Sequence, residues 1–410
     1  MDSGPNRDII PIESNSDREE QMKQDNKHTT KYKRPLKVSA ALVLALVFTL
    51  NTFALQSEYV SAKTLSFYDA TPNKKTVSVL NKTIRRWSKN YKSGTTKKYY
   101  KKGEVSTPAD ITLSWKTGRH FSRSFTVLVS TRKNLSKAKK YKTKSKKLRL
   151  TNLYAGKKYY WRVTGLRWGE KVSSKTYSFR TARTARLLKA KKVSNLRDIG
   201  AYKVAGKKKI RQGKIFRSGN MDSAGKSGKK TLLKDLKLKT DLDLRRPDER
   251  KTGNKSPLGR KVKYIHISGI MYEELWKVTG RKGSSDSIEQ NRQTLIEEMK
   301  VFANKNNYPI VFHCTYGRDR TGTLAFTLGA LLGMKKKDLY KDYEITFFSK
   351  VSNKRKINLK KRLARFDSLY RYMSTYDDPE KSLQYNTQRF LIDNGMTAGQ
   401  INKIKAIMLY

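Results

Sequence analysis

One cysteine occurs in the 410 residues, and it stands in a run whose spacing can do chemistry: His313, Cys314, Thr315, Tyr316, Gly317, Arg318, Asp319, Arg320, Thr321, Gly322. A thiol is a nucleophile only as the thiolate, and at its ordinary pKa of about 8.5 a cysteine is only a few per cent ionised at neutral pH. A site that uses it must therefore supply positive charge. Arg320, six positions on, offers a planar fork of donors that suits two oxygens of a phosphoryl group. Gly317 between them lets the backbone make the tight turn.

The flanking segments can hold that geometry. Tyr308 to Phe312 is short, apolar and rich in β-formers, which predicts a buried strand with Cys314 at its C-terminal end. Thr323 to Met334 is apolar and long enough for a helix that begins near Arg320. A strand, a tight loop and a helix N-terminus gather several backbone N–H groups around one point, with the positive end of the helix dipole facing it. An anion fits there, and the same field favours a thiolate. The run reads as a phosphate trap, with Thr315, Tyr316, Gly317 and Arg318 as its substrate-binding residues. It calls for no cofactor.

Cys, five residues, Arg, preceded by His313 and followed by Thr321 and Gly322, resembles the signature of the cysteine-dependent protein tyrosine phosphatase superfamily. Three earlier segments support the likeness: Asn195-Leu196-Arg197-Asp198-Ile199-Gly200, then Phe216-Arg217-Ser218-Gly219, then Asp241 to Arg245 reading Asp-Leu-Asp-Leu-Arg. In that order they resemble the atypical bacterial and fungal branch, whose members act on phosphotyrosine and often on phosphoinositides. The resemblance covers about residues 183 to 410. That branch usually carries Lys where Arg318 stands, so the charge is kept and the compact ammonium is not. Sulfur-transfer and arsenate-reductase loops share the spacing but lack the flanking His and Thr-Gly pair.

The resemblance implies two-step covalent catalysis: Cys314 attacks phosphorus in line, the alcohol leaves, and water hydrolyses the cysteinyl phosphate. Arg320 and the loop amides would stabilise the equatorial oxygens. Thr321 is expected either to donate its hydroxyl to the Cys314 sulfur or to bond backbone in the first helical turn. His313 is expected to orient the loop through backbone hydrogen bonds. A tyrosyl leaving group needs a proton, and Asp319 is implied as its general acid. The other reading of Asp319 is an ion pair with Arg318 or Arg197; Asp243, Asp248 and Asp198 are the alternative acids.

The formal net charge of +58 and pI near 10.3 would ordinarily suggest nucleic acid. The excess lysine is spread along the whole chain without a nucleic-acid-binding motif, so no such partner is expected. Residues 1–37 read as a disordered basic cytosolic tail. Val38 to Leu55 is mostly apolar and would span about 27 Å as a helix, which predicts an export signal or membrane anchor within 38–62. Val60, Ser61 and Ala62 would suit a signal peptidase, so a cleaved signal and a retained span remain alternatives. Basic residues before the run place the rest of the chain outside the membrane, secreted or anchored. There an anionic cell-wall polymer or lipid surface is an expected partner.

Residues 63–182 alternate in short runs. Ile111 to Trp115, Phe125 to Ser130, Leu148 to Leu153, Tyr159 to Val163 and Thr176 to Phe179 read as strands, and Lys133 to Lys147 as a solvated hairpin. Leu153, Gly156, Tyr159 and Val163, with Trp115 upstream, resemble the corner of a fibronectin type III domain that a Tyr hydroxyl closes. An all-β sandwich is implied. Residues 183–410 mix strands and helices: a helix capped by Asp286 or Ser287 with Gln290 completing a capping box, then helices near Lys335 to Ser349, Asn358 to Ser374, Pro379 to Asn394 and Ala398 to Met408. This predicts an α/β phosphatase domain, a mixed sheet flanked by helices with the catalytic loop between strand and helix. Gly269 to Ser285 reads as a lid, or as a surface helix anchored by Trp276. The four His show no ligand spacing, and no metal is expected.

Together these readings predict an exported phosphatase acting on phosphomonoesters, a phosphotyrosine protein or a phosphoinositide. The alternative is a cell-surface binding protein with an inactive phosphatase domain and a polyanion-binding Lys-rich surface.

Overall fold

The computed structural model describes residues 66–100, 103–206, 208–251, 253–281, 285–353 and 358–410, with a few helical residues between 45 and 52. The predicted tail and most of the apolar run at 38–62 lie outside the described residues. Among the described residues no helix is long and apolar enough to cross a membrane. Residues 60–410 form one compact unit.

Three strands explain where the site must lie. Ile215–Ser218 (β12), Thr240–Asp243 (β13) and Ile310–His313 (β15) are buried at every position, as expected of parallel strands covered on both faces. Their side chains still alternate. Ile215, Leu242, Ile310 and Phe312 enter one core with the helices Ile288–Lys300 (α3) and Arg320–Leu331 (α4), while Phe216 and Val311 enter a second core with Leu232, Leu236 and Leu238. The six-stranded sheet runs β10-β11-β12-β15-β13-β14, with Arg186–Leu187 (β10), Arg197–Asp198 (β11) and Lys263–His266 (β14) at its margins. β12, β15, β13 and β14 are parallel; β10 and β11 are antiparallel. Register pairs Ser218 and Asp243 with His313, so three carboxyl ends finish level where the Cys314 loop begins.

The tail helices fall close to their predicted positions: Lys336–Ile345 (α5), Leu359–Ser374 (α7), Leu383–Asp393 (α8) and Ala398–Met408 (α9), with Lys350–Asn353 (α6) as a short addition. Ser287 caps α3 by accepting from the Gln290 N–H at 3.3 Å. The box is not reciprocal, because the Gln290 side chain bonds Ser285 instead.

Ahead of this domain two sheets share one core. Phe67–Thr71 (β1), Ile111–Thr117 (β3) and Lys147–Leu150 (β6) form one; Lys75–Val77 (β2), Tyr177–Thr181 (β9), Lys158–Arg167 (β7), Phe121–Ser130 (β4) and Lys139–Thr143 (β5) form the other, with Glu170–Ser173 (β8) on β7. Leu113 and Trp115 meet Phe125, Val127, Trp161 and Val163 between them. The Tyr159 hydroxyl accepts from the Tyr154 N–H at 2.8 Å. The run Lys133 to Lys147 is not a self-contained hairpin: β5 pairs with β4, and Lys147 opens β6 in the opposite sheet.

Residues 80–108 leave these sheets and dock on the α/β domain. A neck closes the excursion, with Leu80 bridged to Pro108 and the Ala109 N–H donating to Val79 O at 2.9 Å. Its helix Lys82–Lys89 (α1) buries Ile84 and Trp87 against Leu187, Ile345 and Phe348.

Candidate active site

β15 delivers Cys314, residues 315–319 turn, and α4 begins at Arg320. Gly317 makes the turn possible: its φ is +65° and a Cβ there would lie 2.2 Å from Ser218 O. The loop carbonyls are tied back by three side chains. Thr315 O accepts from Asn220 Nδ2 at 3.1 Å, and Tyr316 O from Asn195 Nδ2 at 3.1 Å. Gly317 O accepts from Asn195 Nδ2 at 3.0 Å and from Arg217 Nη2 at 2.9 Å. The N–H groups of Thr315, Gly317 and Arg318 donate to no acceptor among the described residues. A loop with bonded carbonyls and open amides is an anion cradle.

Cys314 is 3% exposed. Burial pushes its thiol up, but the Arg320 charge and the hydroxyl and N–H of Thr321 outweigh it, so the sulfur ionises below its ordinary range. The Thr321 hydroxyl is buried with no hydrogen-bond partner, backbone or sulfur, among the described residues, while Thr321 is among the groups that draw the Cys314 thiol down. Arg320 lies against Glu249, with Nη2 2.8 Å from Oε1, and its Nη1 also donates to Leu244 O at 3.2 Å. Burial raises the Glu249 carboxyl, yet Arg320, the Arg246 N–H and the Thr315 hydroxyl hold it at about 2.

His313 is fully buried, and its ring faces two carboxylates. Nε2 is 3.0 Å from Asp241 Oδ1 on β13, with Asp243 beyond. Burial lowers its pKa, and the Asp241 and Asp243 charges carry it above the ordinary value. Asp319 forms the ion pair with Arg318, the other reading of this residue. Its carboxylate accepts from Arg318 Nη2 at 3.0 Å, from the Tyr272 hydroxyl at 3.1 Å and from Arg362 at 3.4 Å. Burial raises it, but Arg318 and Arg362 keep it below the usual carboxylate range. Its carboxylate is an acceptor held by three donors, and Arg197 is bonded elsewhere. Arg318 is 5% exposed and turned onto Asp319 and the Tyr316 ring. Asp198 pairs with Arg186 at 2.7 Å, Asp243 with Arg245 at 2.9 Å, and Asp248 with Arg246 at 3.2 Å.

Residues 188–410 match the Tyrosine phosphatase family. The chain belongs to that family. A Cupriavidus necator protein named as a putative tyrosine-protein phosphatase is 28% identical over 164 residues, 37% of this chain and 59% of the relative. The chain thus spans about three fifths of that relative's length. Two solved structures of the Siw14 catalytic core are also similar, each 19% identical at a TM-score of 0.26. One, the PP-IP phosphatase core from S. cerevisiae in complex with citrate, covers 41% of this chain and 91% of its own; the other covers 43% and 86%. Likeness at that score supports no conclusion about substrate.

In this family member the three upstream segments form the scaffold behind the loop. Arg197 Nε and Arg217 Nη1 converge on Asp342 of α5 at 2.8 and 2.6 Å, and Arg217 continues to Gly317 O. Asp342, Glu249 and Glu298 were not anticipated. Glu249 follows Arg245 by four positions, a spacing that offered a signal; Asp342 and Glu298 sit inside ordinary helix patterns and offered none. Glu298 is buried with Oε1 unpartnered, and burial lifts its carboxyl well above the usual range, with the Arg320 charge opposing and Cys314 adding. The described part of the 269–285 segment is pinned rather than loose: Glu273 pairs with Arg365 at 2.7 Å, and Trp276 stacks on Tyr372 at 4.6 Å.

Proposed function

We propose that this phosphatase hydrolyses phosphomonoesters through a cysteinyl-phosphate intermediate on Cys314, with phosphotyrosine protein as its substrate class. The observation that carries the reading is the open-amide loop around a buried thiol whose ionisation Arg320 and Thr321 favour. Cys314 attacks phosphorus in line and the ester oxygen leaves; Glu249 fixes the Arg320 plane while the remaining N–H donors of the fork meet the equatorial oxygens. Thr321 eases departure of the sulfur when water attacks. The leaving-group proton could come from Asp319 only after substrate draws Arg318 away from it.

A cleft of about 940 Å³ beside Tyr316 and Asn220 is lined by Lys189, Lys191, Lys192 and Lys350, with Glu104 as its single carboxylate. That lining favours a substrate with further negative charge next to the phosphate. The sheets at 66–181 support a fibronectin type III-like module, on the Tyr159 corner and the shared aromatic core. Export on the 38–55 run, toward anionic wall polymer or lipid, completes the proposal.

The test is turnover of p-nitrophenyl phosphate by the full chain, blocked by vanadate and lost in Cys314→Ser, followed by release assays on phosphotyrosine peptide, phosphoserine peptide and phosphoinositide. Turnover that persists in Cys314→Ser ends the mechanism. An inactive wild-type chain leaves the binding-protein reading.

A further inference from the structure

The excursion at 80–108 belongs by sequence to the two-sheet region and by contact to the α/β domain. Beside its apolar side it makes polar contacts. Glu344, on α5, is fully buried, and every donor it receives among the described residues comes from this strap. The Tyr91 hydroxyl donates to Oε1 at 2.7 Å, Ser93 Oγ to Oε1 at 3.2 Å, the Gly94 N–H to both oxygens at 3.3 Å, and the Thr96 hydroxyl closes on Oε2. The strap touches the domain at a second polar point. Glu104 accepts from the Ser194 hydroxyl and from the Lys350 N–H at 3.0 Å, while Val105 and Ser106 donate their N–H groups to Phe348 O at 2.8 and 3.0 Å.

Both points lead to one atom. Glu344 stands two residues after Asp342, whose carboxylate holds Arg217, and Arg217 Nη2 holds Gly317 O. Ser194 precedes Asn195, whose Nδ2 holds the same carbonyl from the other side. A buried carboxyl that loses its donors must be desolvated unpaired, take up a proton or turn out of its site. Any of these shifts α5, and with it the pair of arginines on Asp342. A clamp needed only for stability would not require polar contacts that converge on the catalytic loop.

We propose that the strap is a positioning element of the phosphatase site: Tyr91, Thr96 and Glu344 on one route, and Glu104 and Ser194 on the other, set the Gly317 carbonyl and so the shape of the anion cradle. The proposal rests on the reading of the Cys314 loop as the reacting site. Glu104 and Ser194 stand on the wall of the cleft beside Tyr316, whereas Tyr91, Thr96 and Glu344 are no part of its lining. They act through the loop, and since an ångström of misplacement can cost about 100-fold in rate, a loosened strap should appear in turnover.

The full-length chain tests it with Thr96→Val, which keeps the shape and removes the hydroxyl, and Thr96→Ser, which restores it. In Thr96→Val, kcat for p-nitrophenyl phosphate is expected to fall about tenfold with KM within twofold. The acid limb of the pH profile should move upward as the cradle loses its hold on the thiolate. Thr96→Ser should keep both wild-type values, as should Lys97→Ala on the exposed side of the strap. Should Thr96→Val fail to fold, Tyr91→Phe, which retains the ring against Trp87, carries the same comparison. A lowered melting temperature with kcat and acid limb unchanged would overturn the proposal and reduce the strap to a clamp. Absent wild-type turnover would instead overturn the reading of the loop.

Discussion

Arg320 is asked to serve two carboxyl-like groups, the Glu249 side chain and an incoming phosphate, and this sets what single substitutions should do. Because Arg320 and Thr321 together outweigh the burial of Cys314, iodoacetamide should alkylate this thiol with a midpoint below that of an ordinary cysteine, and Arg320→Ala should move the midpoint back up. For Glu249 the folded-state value, about 2, lies below its ordinary 4.5. Its contribution to stability is therefore complete above about pH 4.5 and lost as pH falls toward 2. Glu249→Gln should flatten that part of the acid-unfolding curve followed by circular dichroism. Asp319 invites a sharper comparison. As an ionised partner of Arg318 it should act by position, so Asp319→Asn should lower kcat to a similar degree for p-nitrophenyl phosphate and for phenyl phosphate. A much larger loss on phenyl phosphate, the poorer leaving group, would restore it as the acid. Cys314, Thr321 and Arg320 were legible because their chemistry is local to one loop. Glu249 and Asp342 were not, because their partners lie some 70 to 145 residues away in sequence.

Elements were readable where one pattern decides their burial. The loop strand and the helix after it are apolar and buried on every side, and the four tail helices carry apolar positions at helical spacing. β5 was missed for the opposite reason: its Lys-rich edge presents charge on both faces, a common guard against strand addition that erases alternation. α1 was missed because Ile84 and Trp87 are buried by a different domain, so nothing nearby announces their role. The turn between strand and helix has one residue it cannot lose. Gly317→Ala would place a methyl group 2.2 Å from Ser218 O at a left-handed φ, and should abolish vanadate binding measured by calorimetry even where the chain still folds. Asp342→Asn should leave two buried arginines short of their charge partner and lower both thermal stability and turnover.

For the molecule as a whole, the predicted division at residue 183 separates two cores that the strap joins. A fragment of 183–410 would carry Glu344 without Tyr91, Ser93, Gly94 and Thr96. It should melt lower and turn over more slowly than residues 66–410 under the same conditions, and a fragment as stable and active as the longer chain would contradict the dependence. The net charge of +58 is a separate, long-range property. Retention on an anionic polymer should weaken steeply as salt rises, since exposed lysines are screened within about 10 Å at 0.1 M. The single cysteine adds a limit of its own. Peroxide would convert its thiolate to a sulfenic acid, and no second thiol in the chain can trap that species as an internal disulfide. Recovery must then come from a reductant small enough to reach a sulfur that is 3% exposed. On the proposed mechanism, the burial that surrounds Cys314 would make its working lifetime depend on the low-molecular-weight thiols around it.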